Sequence, residues 1–438
     1  MFKKIKIPKE IGWLIPGLQV KRWFAMIFVG TLLMVVGILI LFDIKPIFYT
    51  MQFISRVANK VSTEWLAFAV IMFGCALFFQ GWKKSNLSII GTNNSINNEE
   101  ELLENLYRRR KLNRGPRIVA VGGGTGLSML LSGIKNITNN ITAIVTVGDD
   151  GGSSGRLRES LGILPPGDIR HCITALADDE DLVTKLFKYR FKTGEGLEGH
   201  SFGNLFLTAM YAITGDMVSA VKASSNVISI RGRVLPSTLD DMKLVARMKD
   251  GRIVHGESNI PEAKGEIERL YTEPENCRAL PEVIEAIKQA ELIILGPGSL
   301  YTSVIPNLLI KEISEAIANS NAKKIYVCNI MTQPGETDNY KVSDHIKALI
   351  KHAGSKQIID AVLINDYIPE QLDEKYAKAN SYPVKTDLSE IKKMGIKVCA
   401  KNLIEADEAN KRGLVRHSSR KVARAVYYWF RKEQKGRE

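Results

Sequence analysis

Apolar positions follow two different patterns along this chain. Residues 23–42 and 65–82 are uncharged runs, apolar on every side, each close to the length that crosses about 30 Å of hydrocarbon as a helix. Two such runs joined by a short loop predict a two-helix transmembrane hairpin. No small-residue cleavage site follows the first run, as it would in a signal peptide. Beyond residue 115 the pattern changes to short β-branched runs, at 117–121, 141–147, 226–230, 292–295, 324–328, 361–364 and 396–399, mostly separated by segments of helical spacing such as 307–318 and 342–351. That alternation predicts an α/β domain with a doubly wound, mostly parallel sheet, whose ligands bind at the carboxyl ends of the strands. The intervening 85–98 is rich in Ser, Asn and Gly and reads as a linker, and 99–114 as a charged helix leading into the domain.

The polar positions that follow the strands carry the chemistry. The first strand ends in Gly122, Gly123, Gly124, Thr125 and Gly126 before helical spacing resumes, a strand–turn–helix design whose first-turn N–H groups favour an anion. The match to G-x-G-x-x-G is partial, because Leu127 stands at the third glycine, and no P-loop lysine is present. After 141–147 come Asp149 and Asp150, two adjacent carboxylates suited to Mg²⁺ bridged to phosphates, then Ser153, Ser154 and Arg156, whose guanidinium can neutralise the same ligand. Pro165 and Pro166 open a helix with Asp168 as a candidate N-cap; Arg170 is placed for a second anion, and His171 for acid–base work or a structural hydrogen bond. His200, Ser201 and Asn204 precede another helix, where Asn204 either meets a base or sugar or caps the helix. Gly296, Pro297, Gly298 and Ser299 repeat the opening design after a second strand, with Ser299 and Thr302 as candidate caps. Asn329, Gln333 and Glu336 complete a polar rim at the same edge.

Composition and charge then set the compartment. Of 438 residues 45% are hydrophobic, high for a wholly soluble chain, and the two apolar runs account for it. Lys3, Lys4, Lys6, Lys9, Lys21 and Arg22 precede the first run, and Lys83, Lys84 and the cluster at 108–111 follow the second. The segment between them holds only Lys45, Arg56 and Lys60. The positive-inside rule therefore puts both ends of the hairpin in the cytoplasm. Five cysteines without a C-x-x-C pair indicate neither a disulfide framework nor a zinc site. The basic 411–438, with Tyr427, Tyr428, Trp429 and Phe430, is either a tail for an anionic membrane or a last helix packed on the domain. The net charge of +13 is unaccompanied by any groove-reading motif, so no nucleic acid is expected. Ser418 and Ser419, beside Arg416 and Arg420, are candidate phosphate acceptors or a plain helix start.

Taken in order, VGGGTGLS, GDDGGSSGRLR, PPGDIR, GHSFGN, LGPGSLYTSVIPNL and CNIMTQPGETDNY resemble the YvcK/CofD-like family, from residue 117 to about 420. Its members include bacterial gluconeogenesis factors and the 2-phospho-L-lactate transferases of coenzyme F420 synthesis. The resemblance implies a Rossmann-like nucleotide-binding domain, with Gly122–Gly126 and Gly296–Ser299 on phosphate, Asp149 or Asp150 at a metal position, and Asn204 reaching the nucleotide. For the gluconeogenesis-factor branch, to which GDDGGSSGRLR and PPGDIRHC are closer, it implies binding of UDP-sugars such as UDP-N-acetylglucosamine and a role in cell shape with envelope-synthesis proteins. The other branch implies a Mg²⁺-dependent transferase. No tightly bound organic cofactor is expected, and a homo-oligomer is compatible with either. The division expected is a basic tail at 1–22, the hairpin at 23–82, a linker and helix at 83–115, the nucleotide-binding domain at 116–415 and a basic tail at 416–438.

Overall fold

The computed structural model describes residues 45–58, 110–178, 180–367, 380–405 and 415–435, with Phe28, Trp65 and Met72. The two apolar runs otherwise lie outside the described residues, as does all of 83–109. Among the described residues no single helix is long and apolar enough to cross a membrane. The chain divides into two compact units, Met1–Lys111 and Leu112–Glu438. In the first, the stretch between the apolar runs is more than a short loop: helix α1, Lys45–Ala58, occupies 14 residues of it.

In the second unit seven strands form one parallel sheet, in the order β10-β9-β8-β7-β1-β2-β3. They are β1 Ile118–Gly122, β2 Ile141–Val145, β3 Arg233–Pro236, β7 Leu292–Leu295, β8 Lys323–Val327, β9 Ala361–Asn365 and β10 Lys397–Lys401. Every residue of β1, β2 and β7 is buried. That is why they read as unbroken apolar runs instead of alternating ones: a parallel sheet covered on both faces has no solvent side. The chain builds β1, β2 and β3 outward on one side, then returns to place β7 against the other edge of β1, with Ile118 beside Leu292 and Val121 beside Leu295. The order therefore reverses between β1 and β7, and a crevice opens there at the carboxyl ends of the strands.

The expected strand at 226–230 is instead the end of a helix. The helices of this half are α2 Gly124–Ile134, α3 Gly152–Leu161, α4 Pro166–Leu176, α5 Glu180–Lys188, α6 Phe202–Thr214 and α7 Met217–Ile228. Ser229, in the left-handed region, ends α7, and the strand begins only at Arg233. Val227 and Ile228 belong to the helix because Met217, Ala220, Val221, Ser224 and Ile228 recur on one buried face. A second sheet, three antiparallel strands β4 Lys243–Met248, β5 Ile253–His255 and β6 Ile267–Glu273, lies outside every sequence expectation.

Across the crevice follow α8 Asn259–Glu262, α9 Pro281–Gln289, α10 Ile305–Leu309, α11 Lys311–Asn319, α12 Val342–Ala353, α13 Leu388–Lys393 and α14 Ser419–Lys435. The basic C-terminal stretch is thus a helix of the domain. Val422, Ala423, Val426, Trp429 and Phe430 form its buried stripe, and a Cβ added at Gly133 of α2 would lie 2.8 Å from the Ala423 Cβ. Ser418 just before it is engaged: its Oγ donates to Glu405 at 2.9 Å. Phe430→Ala should cost about 3–5 kcal/mol through the cavity it leaves, seen as a lowered thermal midpoint of the 112–438 unit. An unchanged midpoint would show that this helix does not support the sheet.

Candidate functional site

The two glycine turns meet at the reversal between β1 and β7. A Cβ at Gly126 would lie 2.5 Å from the Pro297 carbonyl oxygen and 2.7 Å from the Gly298 Cα, and one at Gly122 would be 3.8 Å from the Gly296 Cα. Gly126 is therefore required by turn-against-turn packing, not by room for a ligand. Gly124, at φ +56°, and Gly298, at φ +159°, adopt backbone conformations that L side chains rarely take. The buried Asn307 amide ties the turns together, donating to the Gly122 carbonyl at 3.2 Å and the Ser303 carbonyl at 2.9 Å.

Three helix N-termini converge beside this contact. The residues before α2, α3 and α4 are Gly123, Gly151 and Pro165, and none supplies a side-chain cap. A Cβ at Gly123 would strike the Asp168 carboxylate from the first turn of α4, and one at Gly167 would meet Ser154 of α3 and lie 2.9 Å from Asp149 Oδ2. So uncapped first-turn donors from three helices face one small region, a concentration of positive dipole ends. Thr125 lies exposed in the first turn of α2. Asp168 leans over Gly123 and Gly124 and is not an N-cap, because α4 begins two residues before it, at Pro166.

The second glycine turn is furnished differently. Leu300–Val304 winds as a single π-turn, and the buried Glu336 accepts the Tyr301 N–H at 3.3 Å. That helix start, expected to be open to an anion, is held by the protein's own carboxylate. Ser299 Oγ accepts from Gln333 Nε2 at 2.7 Å, and Gln333 Oε1 accepts from Asn329 Nδ2 at 2.8 Å, so these rim residues form one chain.

The adjacent aspartates part company. Asp150 uses both oxygens on backbone donors, Glu257 N–H at 2.8 Å and Ser258 N–H at 2.9 Å, and so fastens the small sheet to the crevice. Asp149 accepts from Gly151 N–H at 3.0 Å. Burial, then the nearby Asp168, push its pKa up, as expected where carboxylates crowd. Glu257 is pushed to about 8, first by burial and then by Asp149. Burial takes Glu336 to about 7. Glu257 comes from the small sheet's edge, and no local sequence signal announced it. Among the described residues no group of three or more His, Cys, Asp or Glu side chains is placed to hold a metal ion.

Of the remaining candidates, Asn204 is buried on the first turn of α6. Its Nδ2 donates to Ser153 Oγ at 3.0 Å, Ser153 is 2.9 Å from His200 Nδ1, and Asn204 Oδ1 has no partner within the protein. The cap of α6 is Ser201, not Asn204, and the unpartnered Asn204 Oδ1 leaves the amide an acceptor for a ligand. Arg156 lies on the exposed side of α3, donating to the Glu198 carbonyl at 3.0 Å. Arg170 is buried, with Nη2 2.7 Å from His171 Nε2, and burial lowers its pKa to about 10.

A Rossmann-like sheet with a glycine cradle at its reversal defines a nucleotide-fold class, and comparison with known proteins narrows it. Residues 118–404 match the family model described as 2-phospho-L-lactate transferase CofD, and the chain belongs to the CofD family. It is 50% identical over 309 residues to the gluconeogenesis factor of Bacillus subtilis, covering 70% of this chain and 96% of that one. It is 49% identical over 430 residues to a relative from Nostoc sp., covering 97% of this chain and 93% of the other. The crystal structure of protein BH3568 from Bacillus halodurans superposes with a TM-score of 0.69 at 45% identity, covering 72% of this chain and all of that one.

The buried titratable groups set a pH optimum for stability. Folded Glu257 and Glu336 keep protons up to about 8 and 7, against 4.5 for the free side chain, so stability rises as pH falls into that range. Burial lowers His345, His352 and His417 to about 4 from 6.5, so below 6.5 the unfolded chain takes up protons that the folded chain refuses, and stability falls. The thermal midpoint of the 112–438 unit is expected to peak at about pH 6–7. A midpoint rising steadily to pH 9 would contradict the buried carboxylic acids.

Proposed function

We propose that this protein is a membrane-anchored regulator that binds a nucleotide-sugar of the UDP-N-acetylglucosamine type and controls cell shape through envelope-synthesis proteins. The observation that carries the reading is the convergence of three uncapped helix N-termini on the contact between the two glycine turns. A diphosphate is the ligand such donors stabilise best. The kinship with gluconeogenesis factors supports the regulatory role, and the two apolar runs support the anchor, since the similarity to the Nostoc relative extends over nearly the whole chain.

In this reading the α2 turn, Gly122 to Gly126, takes one phosphate and the α3 and α4 starts the other. Asn204 Oδ1 accepts a donor from the nucleoside. A Mg²⁺ ion would be held by Asp149 or Asp150 together with phosphate oxygens. At Asp149 the ion would favour the ionised form against the burial and the nearby Asp168 that raise its pKa. A second reading, a Mg²⁺-dependent transferase, rests on the family model itself, whose description is that of a transferase.

Calorimetric titration of residues 112–438 with UDP-N-acetylglucosamine, GDP and NAD, with and without Mg²⁺, separates the two. UDP-sugar binding without turnover is the expected result. Preference for the guanine nucleotide with strict need for Mg²⁺ would replace the regulator by the transferase. Gly124→Ala should weaken binding roughly tenfold or more, because a Cβ would lie 3.3 Å from Asp168 Oδ1 in a strained left-handed turn beside the donors. Gly126→Ala should instead lower the thermal midpoint, since its Cβ overlaps the second turn. Equal affinity in a folded Gly124→Ala protein would remove the α2 turn from the site.

A further inference from the structure

Three buried polar side chains stand in a row beside the start of α3. Asn204, Ser153 and His200 are 2%, 5% and 7% exposed. Asn204 Nδ2 is 3.0 Å from Ser153 Oγ, and that oxygen is 2.9 Å from His200 Nδ1. At the far end of the row, among the described residues, no group meets Asn204 Oδ1. A buried acceptor left unpaired is costly, so a donor that reaches this oxygen is bound at a gain.

The direction of these hydrogen bonds follows from the protons available. Ser153 has one hydroxyl proton to give. With the Asn204 nitrogen donating to it, Ser153 sends that proton to His200, whose Nδ1 accepts and carries none. The reverse polarity would need a proton on Nδ1, and it would turn the Asn204 NH2 group to the open end of the row. There it would stand beside the uncapped start of α3, whose own first-turn N–H groups lack intrahelical acceptors. Oxygen is the better neighbour for such donors.

His200 is kept neutral for the accepting role. Burial, then Arg156 and Arg190, hold its pKa below the ordinary value. The same two arginines grip the loop that carries it: Arg156 donates to the Glu198 carbonyl at 3.0 Å, and Arg190 to that of Gly199. The His200 backbone is pinned as well, its N–H on the Leu197 carbonyl and its own carbonyl on Phe191 N–H, each at 3.0 Å. The imidazole therefore has a fixed place from which to orient Ser153.

We infer that Ser153 and His200 are positioning residues that lock the Asn204 amide with its oxygen outward, so that the crevice selects a ligand group that donates a hydrogen bond. The choice of ligand rests on the nucleotide reading above, and within it the donor is the imide N–H of a base such as uracil. Cytosine presents a lone pair at the equivalent atom and is rejected, because two acceptors would face each other.

Two measurements on residues 112–438, the compact unit that matches the whole of a crystallised relative, test the relay and the selection separately. Nitrogen NMR of histidine-labelled protein without ligand, assigned by the imidazole signal lost in His200→Asn, should show a bare Nδ1 on His200 and its proton on Nε2. Calorimetric titration with UDP and CDP, which differ only in the base, should favour UDP by roughly tenfold or more, the effect of leaving a buried acceptor unpaired. Ser153→Ala and His200→Leu each free the amide to turn, and should bring the two affinities within about threefold of each other. His200→Asn, whose amide oxygen can stand where Nδ1 stood, should restore the preference. A general loosening of the fold would lower both affinities and leave their ratio alone. A proton on Nδ1 would overturn the relay whatever the chain binds. Equal binding of UDP and CDP by the parent chain, or an unchanged ratio in a folded Ser153→Ala protein, would overturn the selection. A chain with the expected tautomer that binds neither nucleotide would sink the nucleotide reading and the selection with it, and leave the relay standing.

Discussion

The close approach of two backbone turns is the constraint on which the rest of the domain depends. With β1 and β7 as neighbours, the loops that leave them must cross the same few ångströms, and any side chain at Gly126 would occupy the space of Pro297 and Gly298. Glycine makes the approach possible, and the buried amide of Asn307 fixes it by reaching the Gly122 carbonyl. Once the turns are locked, the starts of α2, α3 and α4 have little freedom. The starts of α2 and α3 are turned the same way because the strands that feed them, β1 and β2, are parallel and adjacent, and α4 follows α3 directly.

Much of this was legible in the sequence because burial on both faces of a parallel sheet leaves a simple trace, a short apolar run followed by glycine. Residues 117–126 and 292–299 show it plainly. The three-stranded sheet left no such trace: β4, with an exposed Lys243 and a half-buried Arg247, mixes polar and apolar positions, and β5 has only three residues. The site was legible in its backbone and less so in its side chains. Glycine turns declare themselves locally, whereas the roles of Asp150 and Glu336 are set by segments more than thirty residues away, Glu257 and Ser258 for one and Tyr301 for the other.

That difference shapes the electrostatics. Carboxylates gather beside these helix N-termini, and they accept backbone donors, are pushed toward their protonated forms, or, like Asp149 and Glu336, do both. Asp150 and Glu336 accept N–H groups and act as struts. Asp149 and Glu257, half-buried and near one another, are held above their usual range by desolvation first and by neighbouring carboxylates second. Arg156 and Arg170 each donate to a carbonyl oxygen of the protein, of Glu198 at 3.0 Å and of Phe187 at 3.3 Å. Because Asp150 joins the small sheet to the loop beside Asp149, a change of charge at the crevice bears directly on how that sheet is held.

The C-terminal segment shows how far charge alone can mislead. Its density of arginine and lysine suggests a surface tail, but periodicity governs its structure. Val422, Ala423, Val426, Trp429 and Phe430 fall on one side of α14, and the basic residues are left on the other. Glu433, the carboxylate among them, binds Lys397 of β10 at 2.7 Å and approaches Lys323 of β8 at 3.7 Å, so the helix spans from the edge strand inward. The same logic, applied to α6, gives the opposite result. There the apolar positions run round the helix without a charged face, and the fold buries only one side of them. A helix with one apolar stripe is satisfied by its own domain.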